Sequence, residues 1–192
     1  MFPWPSFLSY VIIMAFTPGP NNIMSMNNAR NAGFKKGLTF NFGVLAGGFI
    51  LMILCLLFSA FLYSFIPKIQ LPMKILGAAY MAYIIFLLFI PSGKHETKNY
   101  SGSFIVGMLF PLINPKAMMY GITAMSSFIL PYYKEVPVLV LFAFFLAFTG
   151  FFSTICWALF GSLFSLLFTK HAKCLNFIMA MLLLYCIVTL FI

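Results

Sequence analysis

Two short segments hold polar and helix-breaking residues inside otherwise apolar stretches of this 192-residue chain. The first is Pro18-Gly19-Pro20-Asn21-Asn22. Each proline removes a backbone donor and Gly19 tolerates unusual backbone angles, so a helix passing through must break. Carbonyls about a turn earlier then lose their partners. In hydrocarbon such groups have to be satisfied by protein, water or ligand. Asn21 and Asn22 offer both donors and acceptors at that point. The segment reads as a kink stitched to a neighbour by asparagine, or as a broken-helix substrate site. Two prolines and two asparagines in five residues exceed what a kink needs, which favours the site.

The second segment is Asn114-Pro115-Lys116. Asn-Pro reads as a helix cap followed by a first-turn proline. Lys116 is the only charge deep in an apolar span, and both acidic residues, Glu96 and Glu135, lie in loops. An ammonium there is expensive and meets the wrong end of its own helix dipole. Loss of the proton or a bound anion relieves that cost, and first-turn N–H groups favour the same anion. The alternative is a lysine snorkelling to an interface or a water-filled vestibule. A zwitterion suits the two breaks together. Its carboxylate would face Lys116 and the N–H groups near Pro115. Its ammonium would face the carbonyls freed by Pro18 and Pro20, helped by Asn21 or Asn22. With no membrane carboxylate to relay protons, Lys116 is the candidate for proton coupling.

The elements that position these residues are membrane helices. Hydrophobic residues make up 64% of the chain and charged residues 7%, against about 25% charge in a soluble domain. That balance excludes a soluble fold, a disordered chain and a disulfide scaffold. Charges fall between long uncharged runs, giving six spans of the roughly 20 residues a bilayer requires. They are expected at about Ser6–Met26, Gly37–Phe65, Ile75–Ile90, Phe104–Leu130, Val138–Phe168 and Cys174–Ile192. Almost nothing is left over, so residues 1–192 form a single membrane domain. The net charge of +9 is spread over short loops, which argues against nucleic-acid binding. Loops one, three and five hold seven Lys or Arg and loops two and four hold three, which places both termini outside.

The breaks sit in the first helix of each three-helix half, residues 1–90 and 104–192. Aligning Pro20 with Pro115 sets Asn21 over Lys116 and Met24 over Met119. An odd number of spans per half makes the halves inverted repeats, a common transporter plan with its site at interrupted helices. The fold class is therefore all-α integral membrane, with six transmembrane helices and helices one and four broken.

Other residues give less. Gly43 and Gly47 form a small-xxx-small pair for helix packing. Gly150, Ser153, Thr154 and Gly161 also read as packing residues. Asn41 packs locally or lines the path, and Trp157 fits the core equally well. His95 and His171 lie beside basic loop residues. Cys55, Cys156, Cys174 and Cys186 contain no metal-type spacing, so no metal or cofactor is expected. No nucleophile–base pair, zinc motif or phosphate loop marks an enzyme.

These residues resemble the LysE/RhtB family of small amino-acid exporters over the full length. The resemblance rests on Pro18-Gly19-Pro20, on Gly33, Gly37, Gly43 and Gly47, and on Asn114-Pro115-Lys116-Ala117. It implies a secondary exporter of small neutral amino acids or derivatives, such as cysteine or O-acetylserine, in the bacterial inner membrane. Proton-motive force is the driver it implies. A homoserine- or threonine-type exporter is the alternative, and a channel or structural subunit is further off. Lipid, a zwitterionic substrate and protons are the expected partners, with a homo-oligomer left open.

The topology is testable with an impermeant thiol reagent in a cysteine-free background. Tyr132→Cys should label from outside and Ser92→Cys should not. The reverse pattern would invert the chain and remove the basis for outside termini.

Overall fold

Proline and glycine set the helix boundaries over the first 34 residues. The computed structural model describes residues 1–57 and 103–167, with single helical positions between 75 and 86 and between 177 and 188. The expected third and sixth spans fall largely outside the described residues. So do His95, His171, Cys174, Cys186 and the loops carrying Lys68, Lys74, Lys94, Lys98, Lys170 and Lys173.

Helix α1 (Trp4–Phe16) starts behind Pro3 and stops at Thr17. Helix α2 (Pro20–Ala32) opens on Pro20, whose missing N–H and fixed φ suit a first turn. The sequence suggested one interrupted span over Ser6–Met26. The chain instead stays helical to Ala32, because nothing between Met26 and Gly33 breaks it. Gly33 alone separates α2 from α3 (Phe34–Leu57), at φ 86°, a conformation L side chains rarely adopt. Arg30 therefore sits in the last turn of α2, where a cation complements the dipole.

The second break is tighter. Helix α4 (Phe104–Ile113) meets α5 (Pro115–Thr123) at Asn114, and the axis bends by 63°. Helix α5 runs into a π-helical segment, Ala124–Ile129, which the sequence did not announce. An exposed turn leads to α6 (Val136–Leu167). Among the described residues, α3 and α6 are long and apolar enough to cross a membrane, and the bent α4–α5 pair makes a third such span. Leu141, Phe144, Phe148 and Phe152 form an exposed apolar ridge on α6. Their spacing of three and four puts them on one helix face, which water would penalise and lipid accepts. The chain is a multi-pass membrane protein.

Packing is closest where side chains are missing. A Cβ on Gly43 would collide with the Phe104 carbonyl, one on Gly47 with the Met108 carbonyl, and one on Gly107 with the Phe40 carbonyl. The backbones of α3 and α4 therefore touch, as small residues allow in membranes. Helix α2 lies between α3 and α6. Gly37 leaves room for Ala29, and Gly161 for the Met26 carbonyl. Gly150 has open space beside it, so the packing role suggested for it is wrong. An aromatic cluster pins the N-terminus. Phe2 lies 5.5 Å from Tyr132, 5.4 Å from Tyr133 and 5.6 Å from Phe142 between ring centres. That contact puts the N-terminus and the turn at 131–135 on one face of the molecule.

Gly47→Ala should therefore strain the α3–α4 crossing, while Gly150→Ala, in open space within a helix, should be neutral or slightly stabilising. Overpacking of this kind costs about 1–3 kcal/mol, roughly 2–12 °C in the thermal midpoint of a chain this size. Thermal unfolding of the detergent-solubilised variants measures it. Equal midpoints for the two would show that the crossing yields without cost.

Candidate functional site

The break after α1 strands the carbonyls of its last turn, because the chain runs extended through Gly19 and prolines occupy positions 18 and 20. The carbonyls of Ala15, Phe16, Thr17 and Pro18 are met by side chains from elsewhere. Asn22 donates from Nδ2 to the Ala15 carbonyl at 2.8 Å and to the Thr17 carbonyl at 3.1 Å. Ser153 on α6 shares its one hydroxyl hydrogen between the Ala15 carbonyl, at 2.9 Å, and Asn22 Oδ1, at 3.2 Å. One turn further along α6, the Trp157 indole donates to the Phe16 carbonyl at 3.2 Å. Lys116 reaches across from α5, its Nζ 2.5 Å from the Thr17 carbonyl and 3.4 Å from the Pro18 carbonyl.

Of the partners expected for these carbonyls, protein, water or ligand, it is protein side chains that hold them in this arrangement. The reason is electrostatic. Lys116 starts α5, the unfavourable end of that helix, yet its ammonium lies at the C-terminal end of α1, where carbonyl dipoles attract a cation. Only Lys116's own helix entered the sequence reading, and the second helix end lies 99 residues away.

Gly19 makes that reach feasible. Its φ of −164° is ordinary extended backbone, so its demand is for space. A Cβ there would lie 2.8 Å from Lys116 Cδ and 3.1 Å from Nζ. The lysine stem runs over the surface that glycine leaves bare.

The two breaks are also tied directly. Asn114 caps α5 by accepting from the Lys116 N–H at 3.0 Å through Oδ1. Its Nδ2 donates to Asn21 Oδ1 at 2.8 Å. One asparagine thus spends its acceptor on the second break and its donor on the first.

Beside this junction lies a partly open cavity, with about 550 Å³ of space free of atoms when its open mouth is included. Gly19, Asn21 and Asn22 line it from the first break, and Asn114 and Lys116 from the second. Pro18, Pro20 and Pro115 shape the breaks without lining the cavity. Gly43 and Gly47 are at the α3–α4 crossing, and the neighbouring Gly48 faces the cavity instead. Sequence reasoning missed Tyr120, Thr154 and Gly150, which complete the wall with Met14, Leu51 and Leu146. It also missed the role of Ser153 and Trp157 at the break. Their spacing of four on one helix face was the available signal. Tyr120 donates to the Leu146 carbonyl at 3.3 Å, which joins α5 to α6 across the cavity. Asn41 does not line the cavity; its Oδ1 accepts from Ser25.

The arrangement places one cation and several amides at an apolar-walled cavity. Glu135, the one acidic side chain among the described residues, sits in the exposed turn. The chemistry available is recognition of a small polar molecule.

Comparison with known proteins agrees. The family of LysE type translocators matches residues 12–192. The cysteine/O-acetylserine efflux protein of Escherichia coli strain K12 is 34% identical over 187 residues, covering 97% of this chain and 96% of its own. Its counterpart in Shigella flexneri serotype 5b shows the same identity and coverage. No solved structure gives a significant match. Two broken helices meeting at one cavity, and a family match over nearly the whole sequence, make this a membrane transporter rather than an enzyme: the chain belongs to the LysE/RhtB family.

Proposed function

We propose that this transporter exports small neutral amino acids or their derivatives, of the cysteine and O-acetylserine kind, across the bacterial inner membrane. The relatives' names support the substrate class. One observation carries the mechanism: the Lys116 ammonium rests on the Thr17 and Pro18 carbonyls. A site that holds a lysine ammonium on carbonyls is chemically ready to hold an amino acid's ammonium there. Substrate binding then exchanges one cation for another. The incoming ammonium takes the carbonyls, and Lys116 turns toward the substrate carboxylate with Asn21, Asn22 and Asn114 around it. When the substrate leaves, Lys116 gives up its proton to water, and it takes up another as it returns to the carbonyls. In this reading Pro18, Gly19, Pro20 and Pro115 hold the breaks open, and Lys116 carries the coupled proton.

The same reading takes residues 1–90 and 104–192 as inverted three-helix repeats within six spans, with both termini outside. Crosswise packing supports it. The first broken helix, α1–α2, packs on α6, and the second, α4–α5, packs on α3.

Lys116 variants test the exchange in liposomes, with a zwitterion and its methyl ester under an imposed pH gradient. Lys116→Met should lower export roughly 10-fold or more, the scale of a charge-assisted hydrogen bond, and abolish preference for the free carboxylate. Its fold should survive, since Asn22 still holds the Thr17 carbonyl. Lys116→Arg should keep binding and lose the pH-driven component, because guanidinium does not release its proton. Wild-type export and discrimination by Lys116→Met would remove Lys116 from the site.

A further inference from the structure

Helix α2 is unlike its neighbours. Five of its 13 residues are asparagine, and it is packed between α3 and α6. Asn22, Ser25 and Asn28 recur every three residues, which puts them along one side of the helix. All three are buried, Ser25 and Asn28 completely. Asn22 borders the cavity and serves the α1 break. Ser25 donates to Asn41 Oδ1 on α3. At the far end the pairing stops: among the described residues, neither Asn28 Oδ1 nor Asn28 Nδ2 has a partner, and neither does Asn41 Nδ2. Buried amide groups are nearly always paired, and an unpaired one destabilises the arrangement that buries it. A leucine at position 28 would carry no such penalty.

The two ends of α2 are glycines, Gly19 in extended backbone and Gly33 at φ 86°. Its polar side runs from the cavity toward the turn flanked by Arg30, Lys35 and Lys36. That turn is at the opposite end of α2 from the break.

We infer that α2 is a gate. It swings about Gly19 and Gly33, and its Asn22–Ser25–Asn28 side then becomes the wall of a water-filled passage between the cavity and the Arg30–Lys36 turn. The inference rests on the transport reading above. In the closed arrangement the unpaired amides of Asn28 and Asn41 disfavour closure. In the open one they hydrogen-bond to water and to the passing zwitterion. The amides thereby keep the closed form from becoming a trap.

Asn28→Cys in a protein with its four native cysteines replaced, reconstituted in liposomes, reads the gate directly. A charged methanethiosulfonate reagent should modify position 28 at least roughly tenfold faster than Ala143→Cys, a fully buried core position on α6. Equal protection at both positions overturns the gate. Asn28→Leu supplies the second measurement: its thermal midpoint should rise and its zwitterion flux fall several-fold, with equilibrium substrate binding unchanged. A higher midpoint with wild-type flux overturns the inference, because the amide would then be a packing defect only. If Asn28→Leu fails to fold, the labelling rates decide. If wild-type protein binds no amino acid, the transport reading fails, and position 28 still reports whether α2 opens.

Discussion

The last turn of α1 cannot satisfy its own carbonyls, and the bilayer offers no water to do so. Each such group left unpaired in hydrocarbon would cost several kcal/mol. The carbonyls of Ala15, Phe16, Thr17 and Pro18 are instead held by Asn22, Ser153, Trp157 and Lys116. Those four side chains come from α2, α5 and α6. The relative placement of these elements is thereby fixed at one point, which is also the edge of the cavity. The break serves structure and recognition through the same atoms.

The packing around that point divides into two kinds. Between α3 and α4, glycines bring backbone against backbone, and no side-chain rearrangement can relax the contact. An apolar core including Phe7, Val11, Leu51, Met125 and Leu146 joins α1, α3, the π segment and α6. Along the Asn22 and Ser25 side of α2 and around Lys116 the contacts are polar, and a polar contact can be exchanged for an equivalent one with a ligand or water. A rigid frame and an exchangeable polar junction therefore coexist in one small molecule.

Much of this was legible in the residues. Prolines and asparagines located both breaks, Asn114-Pro115 announced a capped helix start, and a single lysine in a long apolar stretch marked the cavity. What remained hidden was tertiary. Nothing local says that Lys116 lies on another helix's end, or that Ser153 and Trp157, ordinary residues of an apolar helix, serve that same end. The glycine series also concealed three separate physical demands. Gly33 supplies a positive φ, Gly37 a close pass within the α2–α3 hairpin, and Gly43 and Gly47 a backbone crossing. Spacing alone treats them as one motif. The extension of α2 to Ala32 escaped notice because a polar helix buried among others carries no membrane signal.

The long sequence separation of the α1 contacts has a consequence for biosynthesis. Ser153 and Trp157 meet carbonyls 138 and 141 residues upstream. At translation rates of about 5–20 residues per second, α6 emerges on the order of ten seconds after α1. Throughout that interval a 13-residue apolar helix, too short to cross a bilayer unaided, has a C-terminal end that Asn22 covers only in part, the Phe16 carbonyl still lacking Trp157. Nascent α1 must therefore wait in a hydrated setting, at the bilayer interface or inside the insertion machinery, until α6 is made. Its final depth in the membrane is set late, by a helix that does not yet exist when α1 first meets lipid.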